Sequence, residues 1–161
     1  MNLAANPALW LLIPALPISL WAMHSDVSRM IIPNRAVLAL LGGFVAVGIL
    51  VLPLDAFAWR IGIGVLALVV GFLLTLIGGL GAGDAKFFAA MAPFVALHAW
   101  ADFMFLLSFC MGAGFVLHRI ARMTPLRTAT AGWESWERRD FPMGLSLGTA
   151  LVAHLMMEAF L

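Results

Sequence analysis

Residues 57–78 read FAWRIGIGVLALVVGFLLTLIG, and Arg60 is the one charged side chain in this stretch. A helix needs roughly 18–20 consecutive apolar residues to cross the hydrocarbon core of a bilayer, so the stretch predicts a transmembrane helix. The whole chain of 161 residues has the same character, with 64% hydrophobic residues, 11% charged residues and a mean hydropathy of +1.06. A soluble domain of this size would need far more charge to cover its surface. We therefore predict an all-α integral membrane protein with a single membrane-embedded domain, 1–161.

Hydropathy along the chain divides this domain into six apolar segments. The predicted spans are about residues 7–24, 36–53, 57–78, 86–100, 103–121 and 142–160. Pro93 lies inside the short fourth span, and Pro14 and Pro17 are expected to bend or shorten the first, because proline is tolerated only where neighbouring helices satisfy the backbone. Gly144 and Gly148 lie four residues apart, a spacing that lets membrane helices pack closely.

Basic residues give the predicted orientation. Six spans place eight of the nine basic residues on one side of the membrane, namely Arg29, Arg35, Lys86, Arg119, Arg122, Arg127, Arg138 and Arg139. Only Arg60 falls on the other side. Connections on the cytoplasmic side carry an excess of Lys and Arg, so both termini are predicted outside the cytoplasm and the polar loop 122–141 inside it.

Two aspartates follow apolar spans, each within a short polar motif. Asp26 begins the stretch DVSRMIIPN, residues 26–34, and Asp84 lies in GAGDAK, residues 81–86. Carboxylates near a bilayer are costly and usually functional, and the predicted topology places both on the cytoplasmic side. Two close carboxyl groups share a proton, so one can activate water while the other protonates a carbonyl oxygen. Asp26 and Asp84 are therefore the predicted catalytic pair, with no metal or other cofactor.

The residues that flank the two aspartates are predicted to shape the site. They are Gly81, Gly83, Lys86, Ile32, Pro33 and Asn34. Gly81 and Gly83 allow a positive φ and a close approach of an extended peptide. Pro33 favours an extended residue before it, and Asn34 is expected to cap the second span. Lys86 has two interpretations: it holds a carboxylate or the substrate backbone, or it is simply a charge that faces the cytoplasm.

The 122–141 loop contains Trp133 and Trp136, three residues apart. A short helix lying in the membrane interface would place both indoles at the level of the lipid headgroups. The alternative interpretation of this loop is a contact surface for a charged segment of a substrate.

These motifs resemble the type IV prepilin peptidases, the membrane aspartic proteases of the Gly-x-Gly-Asp type. The resemblance covers about residues 10–155 and is carried by Asp26 with Ile32-Pro33-Asn34 and by Gly81 to Lys86. Phe141-Pro142-Met143-Gly144 is a weaker third match. The resemblance implies that Asp26 and Asp84 are the catalytic pair, that the active site faces the cytoplasm, and that the protein is a multi-pass protein of the inner (cytoplasmic) membrane.

The resemblance also implies the substrate and the partners. Prepilins carry a short basic leader that ends in glycine, and cleavage follows that glycine. The basic leader is expected to meet Glu134, Glu137 or Asp140, while the lipid bilayer is the other partner and no nucleic acid is expected.

The single cysteine, Cys110, leaves no paired Cys-x-x-Cys motif of the kind that large methylating members carry. The chain resembles the short peptidase-only branch of the tight-adherence (Flp) type, and no methyltransferase activity is expected.

Two other functions remain open from the sequence. Archaeal preflagellin peptidases share the core motifs. A non-enzymatic transporter or assembly scaffold could also carry paired membrane carboxylates, although a transporter would more often place them near the midplane and show internal repeats.

Overall fold

A computed structural model describes residues 6–161, so residues 1–5 of the predicted domain lie outside the described part. The described residues are mainly helical and include no β-strand, which confirms the all-α class. The helices are α1 (Pro7–Arg29), α2 (Asn34–Val51), α3 (Leu54–Leu76), α4 (Ala82–Met91), α5 (Trp100–Ala121), α6 (Leu126–Ala129) and α7 (Met143–Phe160). Short 3₁₀ turns occur at Ala92–Phe94, Leu97–Ala99 and Glu134–Trp136.

Five of the described helices, rather than six, are long and apolar enough to cross a membrane: α1, α2, α3, α5 and α7. The predicted fourth span, 86–100, is wrong as a continuous helix. Helix α4 begins earlier, at Ala82, and ends at Met91, and Pro93 lies in the 3₁₀ turn that follows. Pro93 has no backbone N–H to donate, and the chain becomes extended at Val95 and Ala96, so the helix does not continue to residue 100.

The first described residues and the last helix meet at one end of the bundle. The side-chain amide of Asn6 donates a hydrogen bond of 2.9 Å to the carbonyl oxygen of Glu158. At the same end, Arg60 near the start of α3 donates to the carbonyl oxygen of Phe94, at 3.2 Å. Segment 82–99 therefore returns the chain from the far end of α3 to this end. Between residues 6 and 161 the chain runs along the bundle six times, five times as a long helix and once as this shorter segment.

Helices α1 and α7 form the most extensive helix–helix contact in the described chain. A Cβ atom at Gly148 would lie 2.6 Å from Cγ of Met23, and one at Gly144 would lie 2.9 Å from Oδ2 of Asp26. A larger residue at either position would therefore force neighbouring side chains of α1 or of the turn after it to move. This close packing confirms the role predicted for the two glycines.

The first span is longer than predicted. Helix α1 contains Pro14 and Pro17 and still continues to Arg29, five residues beyond the predicted end at residue 24. Asp26 therefore lies in the last turn of a helix and not in a loop after it.

The prediction for Trp136 is also wrong. Instead of lying on an interfacial helix, Trp136 is in a 3₁₀ turn and is only 2% exposed. Its ring stacks on His118 and on Trp133, with centroids 4.9 Å and 5.9 Å away. The indole N–H donates to the hydroxyl oxygen of Thr130, at 2.9 Å. Because a buried indole finds its hydrogen-bond partner inside the protein, this residue anchors the loop to α5 rather than to lipid headgroups.

Candidate active site

Asp26 is held at the end of α1 by a tight local turn. Met30 adopts the left-handed conformation, with φ of 53°, and its N–H donates to the carbonyl oxygen of Asp26 at 2.8 Å. The hydroxyl of Ser25 donates to the carbonyl oxygen of Ile31, at 2.8 Å. These bonds close the helix end and reverse the chain toward Pro33. The Asp26 side chain is left 5% exposed and faces α7.

Helix α7 begins at the Asp26 carboxyl group. The N–H of Gly144, in the first turn of α7, donates a hydrogen bond of 2.7 Å to Oδ2 of Asp26. Pro142 precedes the helix and offers no side-chain cap. The first N–H groups of a helix lack partners within it and carry its partial positive charge, so a carboxyl group there satisfies a donor and is fixed in orientation. Asp26 thus caps a helix 118 positions away in sequence.

Asp84 lies in the first turn of α4 and is half-buried. Gly81 precedes the helix, and a Cβ atom there would lie 2.5 Å from Oδ2 of Asp84, so only glycine leaves room for the carboxyl group. Burial, and to a smaller extent the nearby charge of Asp26, together raise the pKa of Asp84 to about 6. A hydrogen bond from the backbone opposes this shift in pKa without cancelling it.

Both carboxyl groups line one open cavity of about 470 Å³ at the end of the bundle opposite Asn6 and Glu158. Its walls come from the turn after α1, the start of α2 and the start of α4. The lining residues are Asp26, Met30, Ile31, Ile32, Pro33, Asn34, Gly81, Ala82, Gly83, Asp84 and Lys86. The structure therefore brings together every residue predicted for the pair and its supporting loops.

Two predicted roles within this cavity need correction. Gly81 and Gly83 do not adopt a positive φ; among the described glycines, that conformation belongs to Gly78, with φ of 74°. Gly81 is needed for space beside the carboxyl group instead. Asn34 does not cap α2, because it is already the first residue of that helix and Pro33 precedes it. Its side-chain oxygen accepts a hydrogen bond of 3.3 Å from Lys86, which ties α2 to α4.

The acidic residues predicted to contact a leader lie in the 122–141 loop. Glu134 forms an ion pair of 3.2 Å with Arg138 on the same turn. Glu134, Glu137 and Asp140 are not among the described residues that line the 470 Å³ cavity. Their contact with a substrate remains a prediction.

One functional residue was not predicted for the site. Gly144 contributes its backbone N–H to Asp26, yet the sequence suggested only a packing role for it and a weak Pro-x-Gly match. The Pro-x-Gly match was the one sequence signal that could have identified this role. A glycine in the first turn of a helix offers a backbone N–H that no side chain of its own shields.

The raised pKa of Asp84 predicts a gain in stability on neutralisation. An aspartate whose pKa is higher in the folded state destabilises the fold above that pKa, and the penalty disappears below the unfolded value of 3.8. Asp84→Asn should therefore raise the free energy of unfolding above pH 6 by on the order of 1 kcal/mol, allowing for the partial exposure of this carboxyl. The corresponding rise in Tm is about 2–4 °C.

The measurement is thermal unfolding in detergent from pH 4 to pH 8. Asp55→Asn, which removes an exposed carboxyl at the other end of the bundle, is the matched control and should leave Tm unchanged. An equal rise in Tm at pH 4 and pH 8 would show that the penalty does not come from the charge of Asp84.

Comparison with known protein families found a match over more than half of the chain. Residues 11–117 match the sequence model of the Type IV leader peptidase family, and both aspartates fall within that range. No individual curated protein and no solved structure matches the chain significantly. Among the described residues, no three His, Cys, Asp or Glu side chains are arranged to bind a metal ion.

Proposed function

Since this chain belongs to the type IV leader peptidase family and is a multi-pass membrane protease, we propose that it is an aspartic endopeptidase that removes the basic leader from type IV prepilins by cleavage after a glycine. The observation that carries the proposal is the convergence of Asp26 and Asp84 on one cavity at the end of the bundle. Their location at the end, and not in the middle of the spans, supports hydrolysis at the membrane boundary over transport.

In the proposed mechanism the two carboxyl groups share one proton. The hydrogen bond from Gly144 occupies Oδ2 of Asp26 as an acceptor, while the pKa of Asp84 lies near 6, so the favoured state has the proton on Asp84. Asp26 then takes a proton from water as the water oxygen attacks the scissile carbonyl carbon. Asp84 donates its proton to the carbonyl oxygen, and a tetrahedral diol forms. Asp26 then passes its proton to the amide nitrogen while Asp84 takes a proton from a diol hydroxyl group. The C–N bond breaks, two peptides are released and both aspartates return to their starting protonation states.

The cavity walls support an extended peptide with a small residue at the cleaved bond. Ile31 is 60% exposed at the rim, and the backbone around Gly81 and Gly83 approaches the carboxyl of Asp84 without side chains. A glycine before the scissile bond would let the substrate backbone come equally close, since neither partner adds a Cβ atom. In this proposal the predicted orientation places the cavity at the cytoplasmic face of the inner membrane, where a basic leader resides.

We assign the chain to the peptidase-only, Flp-type branch of the family, without methyltransferase activity, because its one cysteine leaves no paired Cys-x-x-Cys motif in these 161 residues. A preflagellin peptidase would use the same residues. These two possibilities differ only in the substrate, and they are separated by presenting both precursors to the same enzyme.

The test is cleavage of purified precursors by the enzyme in liposomes, with product masses read by mass spectrometry. We expect one cut after the leader glycine of an Flp-type prepilin, and loss of that cut when this glycine is replaced by valine. A precursor with a leader stripped of basic residues should be cut more slowly. Cleavage only of preflagellin would reassign the substrate, and cleavage of no precursor would overturn the proposed activity.

A further inference from the structure

A second polar cavity lies at the end of the bundle opposite the aspartates. It has a volume of about 200 Å³, and Arg60, His98, His154 and Glu158 contribute titratable side chains to it. His154 is 5% exposed, lines the cavity and makes no hydrogen bond to any described residue. A buried polar side chain usually has a partner, so this one points to a ligand that the described chain does not supply.

Arg60 and Glu158 face this cavity without touching each other. Their charges attract through space, yet the one ion pair within 4.0 Å among the described residues joins Glu134 and Arg138. The guanidinium of Arg60 donates one hydrogen bond, to the carbonyl oxygen of Phe94 at 3.2 Å, and has further N–H groups to offer. The cavity therefore presents a separated cation and anion, which matches a ligand carrying both charges.

An apolar cavity of about 250 Å³ adjoins the polar one and shares Arg60, Ala96 and His98 with it. Its outer wall includes Trp59 and Leu97, which are 67% and 65% exposed on the surface of the bundle. Exposed tryptophans of membrane proteins lie near the headgroup level, and the apolar cavity continues from there toward the acyl-chain region. The polar cavity would hold the charged headgroup of an amphiphile, and the adjoining apolar cavity would hold the start of its apolar part.

We propose that the two cavities together bind one phospholipid with a zwitterionic, primary-amine headgroup, of the phosphatidylethanolamine type. Its phosphate would take hydrogen bonds from Arg60 and the histidines, since guanidinium groups pair well with phosphate oxygens. Its ammonium group would donate to the carboxylate of Glu158. A net anionic lipid is disfavoured by that carboxylate, and a choline lipid has no N–H to donate to it.

The test is native mass spectrometry of the intact protein after exposure to equal amounts of ethanolamine, choline and glycerol phospholipids with the same acyl chains. We expect retention of the ethanolamine lipid about tenfold above the other two, as one or two charge-assisted hydrogen bonds would give. Glu158→Gln should abolish the preference over choline lipid and increase retention of the anionic lipid. Arg60→Gln should reduce retention of all three.

Two controls keep this result interpretable. Asp55→Asn removes an exposed carboxylate at the same end that lines neither cavity, and it should leave lipid retention unchanged. Arg60→Lys retains the cation if Arg60→Gln fails to fold, and it should keep part of the binding. Equal retention of the three lipids would overturn the proposal. So would binding of free phosphoethanolamine as tight as that of the ethanolamine lipid, because the apolar cavity would then contribute nothing to binding.

Discussion

Asp26→Asn and Asp84→Asn are each expected to reduce the rate of leader cleavage by about a thousandfold or more. Asparagine keeps the size of aspartate but neither accepts a proton from water nor delivers one to the substrate. Both carboxyl groups line one cavity, and in the proposed mechanism they act on the same two proton transfers. The variant with both substitutions should therefore cleave about as fast as the slower of the two single variants. The effects of residues that act as a unit are not additive.

The measurement is kcat/KM for a prepilin in liposomes, with Asp55→Asn as the carboxylate control. Unfolding does not explain a loss in Asp84→Asn, since that variant is predicted to be more stable than the parent at neutral pH. Cleavage at the parental rate by either variant would remove the corresponding aspartate from the mechanism.

Gly144→Ala is expected to reduce kcat by about a hundredfold, as a displacement near 1 Å at a reacting group can do. The added Cβ atom would lie 2.8 Å from Cδ1 of Ile32 and 2.9 Å from Oδ2 of Asp26. Asp26 would have to move away, and its hydrogen bond from the Gly144 N–H would lengthen. Because Gly144 is not among the residues that line the cavity, KM should change much less than kcat.

Gly148→Ala is the matched control for this prediction. It lies one turn further along α7, and its Cβ atom would meet the flexible side chain of Met23 at 2.6 Å rather than a catalytic group. Both variants should lower Tm, but only Gly144→Ala should lower kcat strongly. Equal losses of kcat in the two variants would indicate that general loosening of the α1–α7 contact, and not the position of Asp26, sets the rate.

The sequence was sufficient to predict the all-α class of fold and to single out the two aspartates that line one cavity, because both depend on local signals. Hydropathy marks α3 as apolar along its length, and carboxylates near a bilayer are rare enough to stand out. The three-dimensional roles of Gly144 and Trp136 were not predictable in this way. One depends on a backbone N–H and the other on a ring stack with His118, and neither contact has a signature in local composition.

The helix boundaries were missed for a related reason. Hydropathy places the end of a span where apolar residues give way to polar ones. A helix ends where its backbone hydrogen bonds end, and the two positions need not coincide. Helix α1 continues through polar residues to Arg29, and its backbone bonding ends with the N–H of Met30, which donates to the carbonyl oxygen of Asp26 at 2.8 Å. Segment 86–100 is as apolar as a span, but Pro93 interrupts its backbone bonding.

The hydrogen bond between Asn6 and Glu158 has a consequence for protein engineering. Asn6 and Glu158 both lie at the end of the bundle away from Asp26 and Asp84, so a soluble module attached beside either residue would emerge there. A module intended for the end that carries Asp26 and Asp84 would have to be inserted within a connection at that end, such as 122–141. An affinity handle attached beside Asn6 or Glu158 would leave the entrance to the cavity of Asp26 and Asp84 clear.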